Sequence, residues 1–574
     1  MTDHDADTAS DRDADTASDR DADTASDRDV AIDSVTLEVL RNQLEGVAEE
    51  MGSVLIRGAY SPNITERRDC STALFDADGR MIAQAEHIPV HLGAMPEAVD
   101  AVRKKDPGPG DVFVLNDPFA GGTHLPDVTL VSSLSLDGDV VGFAASRAHH
   151  ADVGGMVPGS MPAGAREIYQ EGLRIPPIRL VADGERNDDA FDLLFANVRN
   201  AAERRADFEA QIAANERADE RLRELAEERG RDRLEAAFDA VIGYSRDRMT
   251  AAIADLPDGT YKAADVLEGD GVTDEDIPIC AAVTVDGGSL AVDFDGSADQ
   301  VEGNCNAPLA VAKSAVYFAV RCVTDPEVPP NHGCYEPVSI SVPEGSVLNP
   351  DPPAAVVGGN VETSQRVTDV ALAALGEAAP GRVPAGSQGT MNNLTIGARG
   401  GGETSDGNAA ESFTYYETIG GGFGARPGAD GMDGVQVGMT NTLNTPVEAL
   451  EAAYPLRVER YAFRPDSGGA GRHRGGLGLE RTVRVETDAT VSLLTERRRH
   501  APAGVDGGES GALGENLIDG EPVPAKTTVD VESGTTVTVR TPGGGGYGDP
   551  SERDPASTAA DLADGKVTED ERDA

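Results

Sequence analysis

Histidine is scarce in this 574-residue chain, with nine in all, yet five of the nine fall between residues 87 and 150: His87, His91, His124, His149 and His150. Asp117, Asp127 and Asp152 lie among them, in the runs NDPFAGGTHLPD and RAHHADVGG that follow HIPVH. Imidazole and carboxylate donors without thiolate suit a borderline or hard divalent ion such as Mn²⁺, Zn²⁺ or Fe²⁺. Two β-type runs, 127–136 and 139–148, are separated by Asp137-Gly138, and Asp-Gly between such runs signals a hairpin. A two-residue turn sets Asp127 opposite Ala148, and a three-residue turn sets it opposite His149. Either way the two side chains lie within one rung at the same end of the hairpin, and register decides which face each takes. His124 stands on the loop entering the first strand. His124, Asp127 and His149 are therefore the predicted metal ligands, with Asp117 as a further oxygen donor. Three ligands and an open position make a catalytic layout. His150 and Asp152 are expected to orient these ligands and to take part in catalysis. Isolated histidines are usually ordinary hydrogen-bonding groups, and HIPVH is read that way.

The elements that must position these residues are legible in outline. Leu37, Leu40, Leu44, Val47, Met51 and Val54 form one stripe of an N-terminal helix, with Ser34 or Thr36 as its cap. A second helical region covers about 200–254, and a third starts near Thr363 or Ser364 and runs to about Ala379. Strand signals occur at 111–115, 282–294, 338–342 and in the C-terminal runs TVRVET and TVTVRT. The glycine-rich middle, about 355–480, reads as long loops, which are uncommon in a compact protein unless functional. The fold class is α+β: strand-rich and multidomain, with an N-terminal helix and a hairpin-borne metal site. The expected units are a disordered acidic repeat tail (1–29), a metal-site domain (30–260), a β-rich segment (261–350), a glycine-rich α/β segment lining the site (351–500), a C-terminal β segment (501–548) and a disordered acidic tail (549–574).

Residues 5–28 are three copies of DADTASDR, which has no apolar face to bury. The net charge is −52, and the two tails carry only a minor part of it, so the acidity belongs to the folded surface. Such a surface repels nucleic acid and anionic membranes, which excludes both as partners. Many Asp and Glu with few Lys suit molar salt, where screening shrinks self-repulsion, and a halophilic, cytoplasmic protein is the expectation. Five cysteines at long spacings read as reduced thiols. There is no long apolar run for a membrane span and no secretion signal. Neither a Walker phosphate loop nor a Rossmann fingerprint in context occurs.

The runs VTLEVLRNQLEGVAEEMG, AYSPNITERRDCSTALFD, AQAEHIPVHLGAMP, LNDPFAGGTHLPDVTLV, RAHHADVGGMVPGSMP, EIYQEGLRIPP, GGNVETSQR, SQGTMNN and PLRVERYAFRPDSGGAGRHRGG resemble the hydantoinase B/oxoprolinase family, which includes acetone carboxylase large subunits. The similarity covers about Val30 to Pro550. The resemblance implies a hetero-oligomer in which a hydantoinase A/oxoprolinase A subunit uses ATP to activate a small cyclic amide, 5-oxoproline or an (N-methyl)hydantoin, while this chain, the B component, completes the hydrolysis. It places Mn in the carboxylase relatives on a His-x-x-Asp pair and a later His, matching His124, Asp127 and His149. A ketone carboxylase component and a non-catalytic scaffold are the alternative readings. Cyclic-amide hydrolysis needs a polarised carbonyl, an activated water and protonation of the leaving nitrogen. Arg68 and Asp69 are expected to act in catalysis. Arg67, Arg68 or Arg147 could grip a substrate carboxylate bidentately, and Arg147 is the one expected in the substrate pocket. Asn360 and Glu362 in GGNVETSQR, Asn392 and Asn393 in SQGTMNN, and Glu417 are the other expected substrate-binding residues. The backbone of GGNVETSQR is a possible anion cradle, and Thr363 the possible cap of the helix after it.

Overall fold

The computed structural model describes residues 32–398 and 412–568. The repeat-bearing N-terminal segment lies outside the described residues. The first helix runs Ser34–Gly58 and buries Leu40, Leu44, Val47, Met51 and Leu55, while Leu37 and Val54 flank the stripe half-buried. Its cap is Asp33 rather than Ser34 or Thr36: the carboxylate accepts the Val35 and Thr36 N–H groups at 3.0 Å, satisfying orphan donors of the first turn.

A seven-stranded antiparallel sheet carries the histidines. Its order is Met81–Glu86, Cys70–Asp76, Asp139–His149, Asp127–Leu136, Val112–Leu115, Ile178–Ala182 and Glu185–Arg186, so the expected hairpin lies in its middle. Asp137 and Gly138 both have positive φ, 53° and 87°, the conformation of a two-residue hairpin turn. Leu136 accordingly pairs with Asp139. An irregularity between Leu134 and Ser135 then shifts the register by one, and Asp127 faces His149. The turn is the two-residue one, but a bulge gives the pairing expected of three.

Alternation separates the two faces of this sheet. Leu74, Ala144 and Ala148 meet the first helix and the helix Ala201–Arg229, whose Gln211 Nε2 donates to the Val128 and Ser146 carbonyls at 3.1 Å. Phe75, Val131 and Phe143 meet the main core, with Val99 and the helix Leu309–Val323. The helical region after residue 200 is two helices, Ala201–Arg229 and Arg231–Ala254, broken at Gly230 with φ 86°.

A second sheet runs Val338–Ser341, Ser289–Asp293, Asp276–Asp286, Gly259–Glu268. The strand signal at 282–294 thus spans two strands, folded into a hairpin in which Ser289 pairs with Asp286. Two further sheets face each other. One holds Phe413–Thr418, Asn393–Ala398, Ala489–Leu494 and Lys526–Val531; the other holds Leu456–Phe463, Leu479–Val485, Thr536–Arg540, Glu515–Ile518 and Glu521–Pro522. Leu394, Ile396, Tyr415, Val483, Val491 and Val537 fill the space between them, a sandwich core. Lys526–Val531 pairs with Ala489–Leu494, so the boundary expected at residue 500 cuts through one β-sandwich.

The glycine-rich runs are packed rather than loose. A Cβ on Gly543 would stand 1.7 Å from Ser467 O, and one on Gly475 would stand 1.9 Å from Gly544 O, so only glycine lets these backbones touch. The segment after Asp549 also departs from the expected disorder through residue 568. It forms the helix Pro555–Ala563, and buried Asp561 pairs with Arg553 at 2.5 Å and Arg474 at 3.5 Å. Its acids have local cations to meet. No helix among the described residues is long and apolar enough to cross a membrane.

Candidate metal centre

His124, Asp127 and His149 converge at the end of the hairpin, all three buried. Their ligand atoms lie within 4.8 Å of one another. The tightest approach is a triangle: His124 Nε2 to Asp127 Oδ1 is 3.0 Å, His149 Nδ1 to Asp127 Oδ1 is 3.1 Å, and the two nitrogens are 3.2 Å apart. Donors bound to one ion at about 2.0–2.2 Å are separated by about 3.0–3.5 Å, so the three atoms fit the edges of a shared coordination sphere. The other carboxylate oxygen is held outside it. Asp127 Oδ2 accepts the Thr123 hydroxyl at 2.8 Å and faces Asn360 Nδ2 at 3.4 Å, the kind of outer contact that fixes a ligand's orientation. Burial works to raise the Asp127 carboxyl, but the His124 ring and hydrogen bonds from His124 and His149 hold it well below the usual range. It is therefore an anion, ready to ligate.

His91 is the residue that sequence reasoning passed over. It sits in a one-turn helix, Pro89–His91, with Nδ1 against Ser71 Oγ at 2.9 Å. Its Nε2 has no hydrogen-bond partner and lies 3.6 Å from Asp127 Oδ2. The signal was the second His of HIPVH. Tyr416 was also missed: its ring stacks on His149 with centroids 4.6 Å apart, and the Arg67 guanidinium lies 4.8 Å from the ring centroid. A narrow cleft, with about 20 Å³ of free room, opens on the triad and His91, and is walled by Asp69, Asn360, Val361, Met391, Tyr416, Thr418, Thr440 and Thr442, with Ile88 and Val90.

The other expected site residues divide. Asn360 and Asp69 line the cleft. Asn393 and Glu362 stand one layer behind: the Tyr416 hydroxyl donates to Asn393 Oδ1 at 2.9 Å, and Asn393 Nδ2 donates to Glu362 Oε1 at 2.8 Å. Burial and the nearby Glu496 push the Glu362 carboxyl up to about 8, so at neutral pH it is a protonated, uncharged member of this chain of hydrogen bonds.

The remaining expectations are corrected by position. Asp117 is not in the triad; its carboxylate accepts Phe119 N–H at 3.1 Å and meets Arg174 at 3.4 Å. Arg147 is fully buried under the sheet end, donating to Thr129 Oγ1 at 2.7 Å and Gly121 O at 3.2 Å, and does not line the cleft. Burial lowers it to about 10. His150 has the opposite parity from His149 and turns to the helix face, its Nε2 2.9 Å from Gln211 Oε1, where burial pushes it down to about 4. Asp152 is tied up by Gly154 and Gly159 N–H at 2.9 Å and Arg199 at 2.9 Å, and shapes the following loop. Arg68 is exposed, with φ 55°. Asn392 faces away toward Arg498 at 2.9 Å. Glu417 fails for a simple reason: in the strand Phe413–Thr418, Tyr416 and Thr418 face the cleft, so Tyr415 and Glu417 must face the sandwich. There Glu417 pairs with Arg481 at 2.9 Å, both fully buried. Thr363 stands at the N-cap position of the helix Ser364–Ala378, but its side chain makes no cap hydrogen bond. It ends a π turn, Gly359–Thr363, and its hydroxyl donates to Cys305 O at 2.6 Å.

Fold and site together define an α+β protein with a buried two-histidine, one-carboxylate centre beside a small cleft. The chain belongs to the hydantoinase B/oxoprolinase family, whose model matches residues 33–550. It is 42% identical to an uncharacterised protein of Methanocaldococcus jannaschii, over 94% of each chain. It is 39% identical to 5-oxoprolinase 1 of Arabidopsis thaliana, over 90% of this chain but only 42% of that longer one. A relative in a Pseudomonas species, named as the B component of a D-/L-hydantoinase, is 34% identical over 94% of both. Among solved structures, the ATP-dependent caprolactamase of Pseudomonas jessenii superimposes with a TM-score of 0.86 at 30% identity, over 94% of this chain and 95% of that one.

Proposed function

We propose that this chain is the metal-binding, catalytic component of an ATP-dependent cyclic-amide hydrolase that opens 5-oxoproline or a hydantoin ring, working with an ATP-binding A subunit. The observation that carries the reading is the His124–Asp127–His149 triangle, three buried ligand atoms within one coordination sphere, facing a narrow cleft. Relatives named as 5-oxoprolinase, hydantoinase and caprolactamase support the reaction class. A divalent ion held by His124 Nε2, Asp127 Oδ1 and His149 Nδ1 would polarise the amide carbonyl and acidify a water. Asn360 and Thr123 hold the Asp127 carboxylate so that one oxygen faces the cleft. Tyr416 walls one side of His149 and fixes its plane. His91, with Nδ1 anchored on Ser71 and Nε2 free, is the group we assign to hand a proton to the leaving nitrogen. The apolar walls, Ile88, Val90, Val361 and Met391, exclude bulk water from the reacting carbonyl.

The test is co-purification with an A-type subunit and assay of ATP-dependent ring opening on 5-oxoproline and hydantoins. We expect a bound divalent metal and turnover that His149→Ala abolishes. A metal-free complex, or turnover untouched by His149→Ala, would overturn the assignment.

A further inference from the structure

Arg67 is a fully buried guanidinium without an ion-pair partner among the described residues. Its Nη1 donates to Tyr416 O at 2.8 Å; Nη2 donates to Thr418 Oγ1 at 2.8 Å and Thr442 Oγ1 at 3.2 Å; Nε has no partner. It does not itself line the cleft, but both threonines do. A buried cation left unpaired is costly, which points to a negative charge supplied from outside the fold.

The hydroxyl protons can be placed by elimination. Thr418 Oγ1 accepts from Arg67 and from Gln436 Nε2 at 3.3 Å, so its own proton goes to Thr442 Oγ1, 2.7 Å away. Thr442 Oγ1 then accepts from Thr418 and from Arg67, and both its lone pairs are used. Its proton is left without an acceptor among the described residues, and Thr442 lines the cleft. The loop bearing Thr442 is tied to the same residue, since Leu443 N–H donates to Arg67 O at 3.1 Å. The cleft also contains Asp69 and Asp127. A divalent ion in the triad would offset these two carboxylates, leaving the charge of Arg67 to be met by an incoming anion.

We propose that the Thr418–Thr442 hydroxyl pair, backed by Arg67, is the subsite that receives an anionic oxygen of the substrate, so that this chain favours a cyclic amide bearing a negative group over a neutral lactam. The proposal deepens the reading above and rests on it for the site's use. Two sources share the chemistry: a carboxylate on the ring, or a phosphoryl group placed on it during activation.

Calorimetric titration of the metal-loaded chain with 5-oxoproline, 2-pyrrolidinone and inorganic phosphate tests it. If the ring carboxylate is the occupant, 5-oxoproline binds about tenfold tighter than 2-pyrrolidinone, as a charge-assisted hydrogen bond gives. Thr442→Val removes that ratio while the chain still binds its metal. If the phosphoryl group is the occupant, phosphate binds, Thr442→Val weakens it about tenfold, and the two lactams bind alike. Arg67→Lys, which keeps the charge but not the fork, should weaken either anion less than Thr442→Val does. Binding of neither anion, or anion binding that Thr442→Val leaves as tight as in the parent, overturns the proposal. Anion selectivity in a chain whose complex opens no ring would instead overturn the hydrolase reading alone.

Discussion

Asp127→Asn is the most informative single change at the centre. The substitution keeps shape and volume, and the Asn can retain the Thr123 and Asn360 contacts on Oδ2. It removes the one charge in the triangle and the oxygen that both imidazoles face at 3.0 and 3.1 Å. Loss of an outer contact to a ligand costs about 10–100-fold in metal affinity, so loss of the charged ligand itself should cost at least about 100-fold, or about 2.7 kcal/mol. At a metal concentration about 100 times the parent dissociation constant, binding stabilises the parent by about 2.7 kcal/mol and the variant by only about 0.4 kcal/mol. For a chain of this length that is a shift of a few degrees against less than about one. The chain has no Trp, so differential scanning calorimetry with metal analysis is the suitable assay. An Asp127→Asn protein that keeps its metal through dialysis and shows the parent's metal-induced shift would refute the triangle as a binding site.

Three further outcomes follow from the structure. Glu362, raised from 4.5 to about 8 by burial and Glu496, contributes stability in its neutral form that is fully present below about pH 4.5 and is lost as pH rises through about 8, at up to about 1.4 kcal/mol per unit. Denaturant titrations at pH 6 and 8 should therefore show a steeper loss in the parent than in Glu362→Gln, and parallel profiles would contradict the buried neutral acid. Arg481→Met strands the Glu417 carboxylate in the sandwich core and should cost about 3–5 kcal/mol while leaving metal content of the folded fraction intact; metal loss without destabilisation would return Glu417 to the site. The net charge of −52 predicts a melting temperature that rises by at least several degrees between about 0.1 and 1 M KCl, where the Debye length falls from about 10 to 3 Å; an unchanged melting temperature would count against the molar-salt reading.

Much of the centre could be read from residue types alone. Few histidines, most of them crowded into one stretch, with acids and an Asp-Gly turn between two β runs, already place His124, Asp127 and His149 at one end of one hairpin. The reason is local: a hairpin's pairing follows from its turn within one rung. The first helix was legible for a similar reason, because a stripe of leucines, valines and methionine has only one face to bury.

What the chain could not declare was anything decided by distant partners. The bulge near Leu134 settled that His149, not Ala148, meets Asp127, and strand twist and packing rather than composition choose where a bulge falls. Glu417 and Tyr416 are adjacent in sequence, yet a strand sends them to opposite faces, one into the sandwich with Arg481 and one onto His149. Arg147 and His150 flank a ligand in sequence and are excluded from the cleft by the helix and loop that cover them. Arg67 lies some 350 residues from the threonines it polarises, and no local pattern couples them. Residue types and short-range spacing were enough to say which atoms could bind an ion and that one hairpin would carry them. Which polar groups share their cavity was settled by the folded arrangement, because burial and the pairing of remote strands set the direction of each side chain.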